Sequence, residues 1–148
     1  MITENTVTRT EAEIRQAVDD WTAAFRAKDI DRLMSHYAAD VIAYDVKPPF
    51  QVKGATAWRR IWEECMPCFP SSFQVETRDL TVIGNDDVAI AHWLFRFTGM
   101  EPGHPAMQTW MRATVGYRKQ QGRWQIVHEH ASVPFNPETS QVVFTLEP

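Results

Sequence analysis

Three groups of residues in this chain are of types that do chemistry. The first lies in residues 122–135, GRWQIVHEHASVPF, where His128 and His130 alternate with Glu129 before Pro134. The stretch reads as a turn glycine followed by a long, half-buried strand that the proline stops. Imidazoles and carboxylates both carry protons, so whichever of them faces an enclosed space can serve as acid or base. His128-x-His130 puts two possible metal ligands on one face, but no third is evident, and no metal is assigned. The second group is Asp45, at the end of the alternating stretch DVIAYDV, residues 40–46. If Val41 and Ala43 face the core, Asp45 follows them inward, where a carboxylate costs free energy unless it is hydrogen-bonded or protonated. The plainer reading is that Asp45 caps the turn before Pro48. The third group is Cys65-x-x-Cys68, with Pro67 inside it. The spacing resembles a redox motif, but Pro67 places the pair at a helix end and not at a helix start, which favours structural thiols.

Elements around these groups follow from hydrophobic periodicity. Residues 10–28 carry Ile14, Val18, Trp21 and Phe25 at helical spacing, and Thr10-x-x-Glu13 has the form of a capping box. Asp29 is placed to cap a short second helix running to Tyr37. After the strand at residues 40–46, Gly54 permits a turn into a third helix. Its Trp58, Ile61, Trp62 and Cys65 share one face, as core or as a ligand box. From residue 73 the period becomes two. A long strand to Ile83 shifts its apolar phase near Asp79, which suggests a bulge. Residues 88–98 form the next strand, whose Ala89, Ala91, Trp93, Phe95 and Phe97 make a wholly apolar face directed at the helices. Residues 99–108 make a loop long enough to overhang a pocket mouth. A third strand over residues 109–119 alternates Met111, Ala113, Val115 and Tyr117 against Trp110, Arg112 and Thr114. Residues 141–146, QVVFTL, are expected to add an edge strand or to pair with another subunit. Helices first and a meander of strands afterwards predict an α+β domain with helices on one face of a curved, mostly antiparallel sheet.

Composition sets limits on partners. The 148 residues fit a single domain, residues 1–148, with a flexible N-terminus (1–9) and a C-terminal tail (135–148). Hydrophobic residues make up 44% and charged residues 23%, and six Trp with eight Phe leave aromatics to spare for lining a cavity. A net charge of -4 without long runs of one sign offers no basic stripe for nucleic acid and no polybasic patch for lipid. No apolar run approaches a membrane span, and MITENTVTRTE lacks the features of a signal peptide, so the expected location is the cytoplasm. No nucleotide or cofactor motif is present, and no cofactor is expected.

Several of these segments carry a resemblance. W-x-x-A-F-x-A-K-D at residues 21–29, Y-A-A-D at 37–40, Tyr44-Asp45 and Gly54 are similar to the nuclear-transport-factor-2-like superfamily, in its SnoaL-like and ketosteroid-isomerase-like branch. Residues 117–134 also resemble the last hairpin of the association domain of calcium/calmodulin-dependent protein kinase II. The resemblance implies a cone of helices and bent sheet around a pocket, in a homodimer formed through the outer sheet face. It aligns Asp45 with the isomerase's general base, and Tyr37 and Trp62 with aromatic pocket positions. Trp21 takes the place of the oxyanion tyrosine, and the second oxyanion acid falls near residues 113–115, where no side chain is acidic. Steroid isomerisation itself is therefore not expected.

The resemblance also bears on the phase of residues 122–135. Apolarity alone turns Trp124 and Ile126 inward and brings His128 and His130 with them. The family register instead turns Val127, Glu129 and Ala131 inward, leaving Trp124, Ile126, His128 and His130 on the outer face with His92, Arg96 and Arg112. On that second phase Asp45 and Glu129 are the catalytic candidates, base and acid or orienting group, with both pKa values raised by burial. Trp21, Tyr37, Trp58, Trp62, Trp93, Phe95, Val115 and Val127 are the candidate ligand-binding residues. The expected ligand is an apolar, cyclic or polyketide-like small molecule, acted on by cofactor-free proton transfer. The alternative is a non-catalytic association or ligand-binding module.

Overall fold

A computed structural model describes residues 8–143 and 145–148. Helix α1 (Arg9–Arg26) begins one step earlier than its sequence pattern suggested, because Thr8 and not Thr10 is the cap: its hydroxyl accepts from the Glu11 N–H at 3.1 Å. Thr10 is used elsewhere and donates to the Asn85 carbonyl, which ties α1 to a strand turn. Glu13 closes no capping box either. It accepts from Arg9 and, across the molecule, from the Trp124 indole at 2.7 Å and the Lys119 ammonium at 3.3 Å. Those bonds, the indole's first, hold its carboxyl down at about 2. Asp29 caps α2 (Ile30–Met34) as expected, but that helix stops short of Tyr37. Tyr37 instead opens strand β1 (Tyr37–Tyr44).

The remaining elements are β2 (Val52–Lys53), α3 (Ala55–Cys65), β3 (Gln74–Gly84), β4 (Val88–Thr98), β5 (Met111–Gln120), β6 (Arg123–Ser132) and the short pair β7 (Phe135–Asn136) and β8 (Gln141–Val142). Gly54 adopts φ +89° ahead of α3, a conformation that favours glycine. Pro67 falls in a single 3-10 turn that ends the helix. Six strands form one open sheet in the order β2-β1-β6-β5-β4-β3, antiparallel throughout except where β1 runs parallel to β6. β7 and β8 pair only with each other, so residues 141–142 do not extend the main sheet. The domain is thus α+β, with three α-helices packed on a mostly antiparallel sheet, as the order of patterns predicts. The bulge expected near Asp79 is present: pairing with β4 shifts between Arg78 and Thr81, and Asp79 sits at φ +59°. Ile14, Leu33, Val41, Ala43 and Ala91 are fully sealed between the layers.

A second bulge decides the phase of β6. Tyr117 of β5 faces Ile126, while its neighbour Gly116 faces His128, which leaves Val127 without a partner of its own. The strand therefore changes face in mid-course. Before the bulge, Trp124 points toward α1 and Ile126 is buried at 2% exposure. After it, Glu129 and Ala131 face inward. Val127 turns outward with His128: a Cβ built on the outward-facing Gly116 would meet both of their side chains. Neither uniform phase read from the sequence is therefore right. Without the extra residue a strict alternation would carry Ile126 and Glu129, three positions apart, to opposite faces; with it both are held inside. Ile126→Ala forfeits about 2–5 kcal/mol of core packing, and thermal unfolding should show a melting temperature lower by several degrees for it and nearly unchanged for Val127→Ala.

Candidate functional site

Between the inner face of the sheet and the helices lies a cavity of about 330 Å³. Its walls come from three sources with different periodicities. α1 supplies Val18, Trp21 and Phe25; α3 supplies Trp58, Ile61, Trp62 and Cys65; the strands supply Val75, Trp93, Phe95, Phe97, Ala113 and Val115 in alternation. The aromatic rings meet edge to face. Trp62 sits 5.7 Å from Trp21, 5.2 Å from Phe25 and 5.6 Å from Trp58, a packing that fixes the walls beyond simple burial. Of the residues named from the sequence as ligand-binding, Trp21, Trp58, Trp62, Trp93, Phe95 and Val115 line this space. Val127 does not, because of the bulge. Tyr37 does not either; it stands behind the wall. Residues 99–108 contribute nothing to the lining among the described residues, so that loop does not overhang the mouth.

Among the described residues Glu129 is the one carboxyl set deep in these apolar surroundings. It pairs across the sheet with Val115 on one side and with Ala43 on the other, and both neighbours are sealed from solvent. The Tyr37 hydroxyl donates to its Oε2 at 2.8 Å, and the Trp21 indole N–H donates in turn to the Tyr37 oxygen at 3.0 Å. The Trp58 N–H finds no partner in hydrogen-bond geometry, yet lies close enough to favour the carboxylate. Burial outweighs these donors. It pushes the Glu129 carboxyl up to about 7, with the negative Asp45 adding to the rise. Burial and the same carboxylate together hold the Tyr37 phenol well above its ordinary value, so it remains a donor at neutral pH.

Asp45 occupies a different setting. It follows Ala43 inward and lines the cavity, but it is half-buried, and its Oδ1 accepts from the Val46 N–H at 2.7 Å. Both sequence readings of Asp45 are therefore realised at once. With Lys47 and Tyr44 it forms the polar rim of the mouth. No hydrogen bond joins Asp45 to Glu129 among the described residues, so the two act on each other through space and share no proton bond. His130 reaches the same rim while its ring packs against Tyr44 at 5.3 Å. His128 lies outside, against Tyr44 at 4.7 Å and bonded to the Ile42 carbonyl at 2.7 Å. Among the described residues no three His, Cys, Asp or Glu side chains converge as metal ligands, and no helix is long and apolar enough to cross a membrane. Cys65 lines the cavity with its thiol pushed up by burial, which keeps it protonated and unreactive; Cys68 is exposed.

Sequence reasoning missed the Trp21–Tyr37–Glu129 chain. From the sequence Tyr37 offers an aromatic surface, and nothing local indicates that its hydroxyl meets a carboxyl 92 residues away.

Comparison with known proteins agrees with this architecture. A family model for the SnoaL-like domain matches residues 14–136. The chain is 41% identical to an NTF2-like protein of unknown function from Pseudomonas putida KT2440, over 94% of this chain and 96% of that one, with a TM-score of 0.86. A protein from Streptomyces avermitilis, provisionally named a dehydratase of the NTF2-like family, shares the fold at 18% identity, 86% and 97% coverage and a TM-score of 0.70. A Thiobacillus denitrificans protein provisionally named a calcium/calmodulin-dependent protein kinase type II association domain does so at 24% identity, 82% and 94% coverage and a TM-score of 0.68. No curated protein sequence matches significantly.

The position of Glu129 has a consequence for stability. The folded chain keeps a proton that the unfolded chain loses above its ordinary 4.5, and releases it only near 7. Wild-type stability therefore declines as pH rises through that interval, by about 3 kcal/mol in all. Glu129→Gln carries no such proton and should gain on the wild type by that amount between pH 4.5 and pH 8 in urea unfolding. Tyr37→Phe removes a donor to the carboxylate and should move the titration midpoint of Glu129, followed by NMR, to higher pH.

Proposed function

The chain belongs to the SnoaL-like family, and within it we propose a small-molecule-binding protein that moves a proton on an apolar cyclic or polyketide-like ligand without a cofactor. Isomerisation, cyclisation and dehydration are the reactions this chemistry allows. The observation that carries the reading is a carboxyl poised near 7 in a cavity otherwise walled by aromatic and aliphatic side chains. Near neutral pH such a group is partly ionised. It can take a proton from carbon in one step and return it in the next. Glu129 is thus the proton carrier. Asp45, the base expected from the sequence, acts from the mouth as a fixed negative charge that keeps the Glu129 proton from leaving too early.

Proton abstraction from cyclic β,γ-unsaturated ketones provides the test. Glu129→Gln should lower the rate by at least about a hundredfold. Asp45→Asn should keep turnover and shift the lower limb of the pH profile toward acid. Full activity in Glu129→Gln, or loss confined to Asp45→Asn, would overturn the assignment.

A second reading, an association or ligand-binding module without turnover, is supported by the outer sheet face. There Arg78 and Arg96 flank the Trp110 ring, each 4.8 Å from its centroid, and Ile90, farther along β4, is 46% exposed. Aromatic and arginine contacts of this kind suit a homodimer interface. Arg112, which bonds Ser132 on the same face, offers the probe. Arg112→Glu should convert a dimer to a monomer in light scattering at equal concentration.

A further inference from the structure

The Cys65-x-x-Cys68 pair takes no part in the proton chemistry proposed above, yet the fold places it at the edge of the same cavity. Trp58, Ile61, Trp62 and Cys65 follow one another at helical spacing along α3 and all line the chamber. Phe69, directly after Cys68, lines it too. Cys65 is the last residue of α3, and Met66–Cys68 continues it as one 3-10 turn. Both sulfurs are free, with Cys65 half-buried in the wall and Cys68 exposed.

The backbone between them suits a sulfur–sulfur bond. Met66 has φ -54° and ψ -41°, and Pro67 lies within the 3-10 turn, so the chain from Cys65 to Cys68 makes one unbroken right-handed turn. Such a turn sets Cα atoms three residues apart at about 5–6 Å. A disulfide spans Cα separations of roughly 4.4–6.8 Å. Side chains at i and i+3 also leave a helix on the same face, which makes the two Cβ atoms neighbours. The turn itself is anchored. The Phe69 ring packs 5.1 Å from Phe25, 5.0 Å from Phe73 and 5.1 Å from Phe97, and the Lys28 ammonium donates to the Phe69 carbonyl at 2.6 Å. A bond between the sulfurs is therefore met by rotation of the Cys65 side chain and not by movement of the backbone.

We propose that Cys65 and Cys68 are a reversible modification site, closed to a disulfide by a low-molecular-weight disulfide as oxidant, and that closure draws the Cys65 sulfur out of the cavity wall. The two thiols have different parts. Burial holds Cys65 protonated where it stands, so the exposed Cys68 opens the exchange. Its thiolate attacks one sulfur of the oxidant, which forms a mixed disulfide and expels the first thiolate. Cys65, one turn away, then attacks the Cys68 sulfur, the bond to the oxidant's remaining sulfur breaks, and a second thiolate leaves. Proximity supplies what the resting Cys65 thiol lacks. The two cysteine protons pass to the two departing thiolates; the protein gives up two electrons and the oxidant gains them. An apolar ligand resting on Cys65 holds the sulfur in the wall, so an occupied cavity opposes oxidation. By linkage, oxidation weakens ligand binding by the same factor. None of these steps draws on Glu129.

The full chain, equilibrated with equal concentrations of reduced and oxidised glutathione and read by intact-mass spectrometry after alkylation, provides the test. Wild type should lose two hydrogens, with the internal disulfide exceeding the glutathione adduct at least about tenfold. Cys65→Ser should trap the adduct on Cys68, and Cys68→Ser should take up glutathione at Cys65 at least about tenfold more slowly. A wild type that accumulates only the adduct, or that links two chains, overturns the site, and so does equal uptake by the two variants. The first reading needs neither a ligand nor a variant. For the coupling, tetralin is the apolar probe. Titrated by tryptophan fluorescence, it should bind the oxidised protein at least about threefold more weakly than the reduced, and saturating tetralin should lower the disulfide's equilibrium constant by the same factor. Equal affinity for the two forms, or no binding to the reduced one, overturns the link to the cavity and leaves the disulfide standing.

Discussion

The hydrogen bond from Tyr37 to Glu129 is the contact on which the interior of the cavity depends. A carboxyl in an apolar cavity cannot be both charged and unpaired, so the group needs a donor that is itself sealed from water and oriented. The Trp21 indole supplies the orientation by bonding the phenol oxygen, which directs the O–H at Oε2. The helix α1, the first strand and the sixth are brought together at that one point. Their packing is therefore tied to a protonation state, and the free energy of that state is set by how well the layers close.

The aromatic walls work on the same balance from the other side. Trp21, Phe25, Trp58 and Trp62 interlock edge to face, so the space cannot collapse onto the carboxyl. Were it to collapse, the apolar burial would improve and the site would vanish. Rigid rings on two helices and alternating aromatics on β4 keep the cavity open at the cost of unfilled volume and two indole donors left without partners. Groups of this kind, unsatisfied in an otherwise well-packed interior, are where folding and function pull against each other.

Local signals in the sequence sufficed for the architecture. Helical spacing at Ile14, Val18, Trp21 and Phe25 and strict alternation from Ala89 to Phe97 each specify one face, and both faces turn inward as read, onto the core and the cavity. The bulge at Asp79 was visible because polar residues break the alternation there. The bulge at Val127 was not, since Ile126 and Val127 are both apolar and either can face the core. That single unpaired residue reverses the phase, so a correct view of Glu129 came from family register while Trp124 and Ile126 followed apolarity. Thr8-x-x-Glu11 and Thr10-x-x-Glu13 both have the form of a capping box, and only the distant Asn85 carbonyl, which engages Thr10, distinguishes them. Leu33, Met34 and Tyr37 keep helical spacing, which locally favours helix at Tyr37, while its pairing with β6 is a tertiary fact. The depth of Glu129 and the shallowness of Asp45 likewise depend on which strands flank them.

Parallel pairing joins the first strand, β1, to the last long one, β6. Meander hairpins from β3 to β6 form between neighbours in the chain, but β1 must cross about ninety residues to reach its place. Loop closure of that length is slow relative to hairpin formation. On that argument the contact between Tyr37 and Glu129 is expected to close after the hairpins. A chain with its hairpins formed leaves the Glu129 carboxyl without its donor until β1 docks.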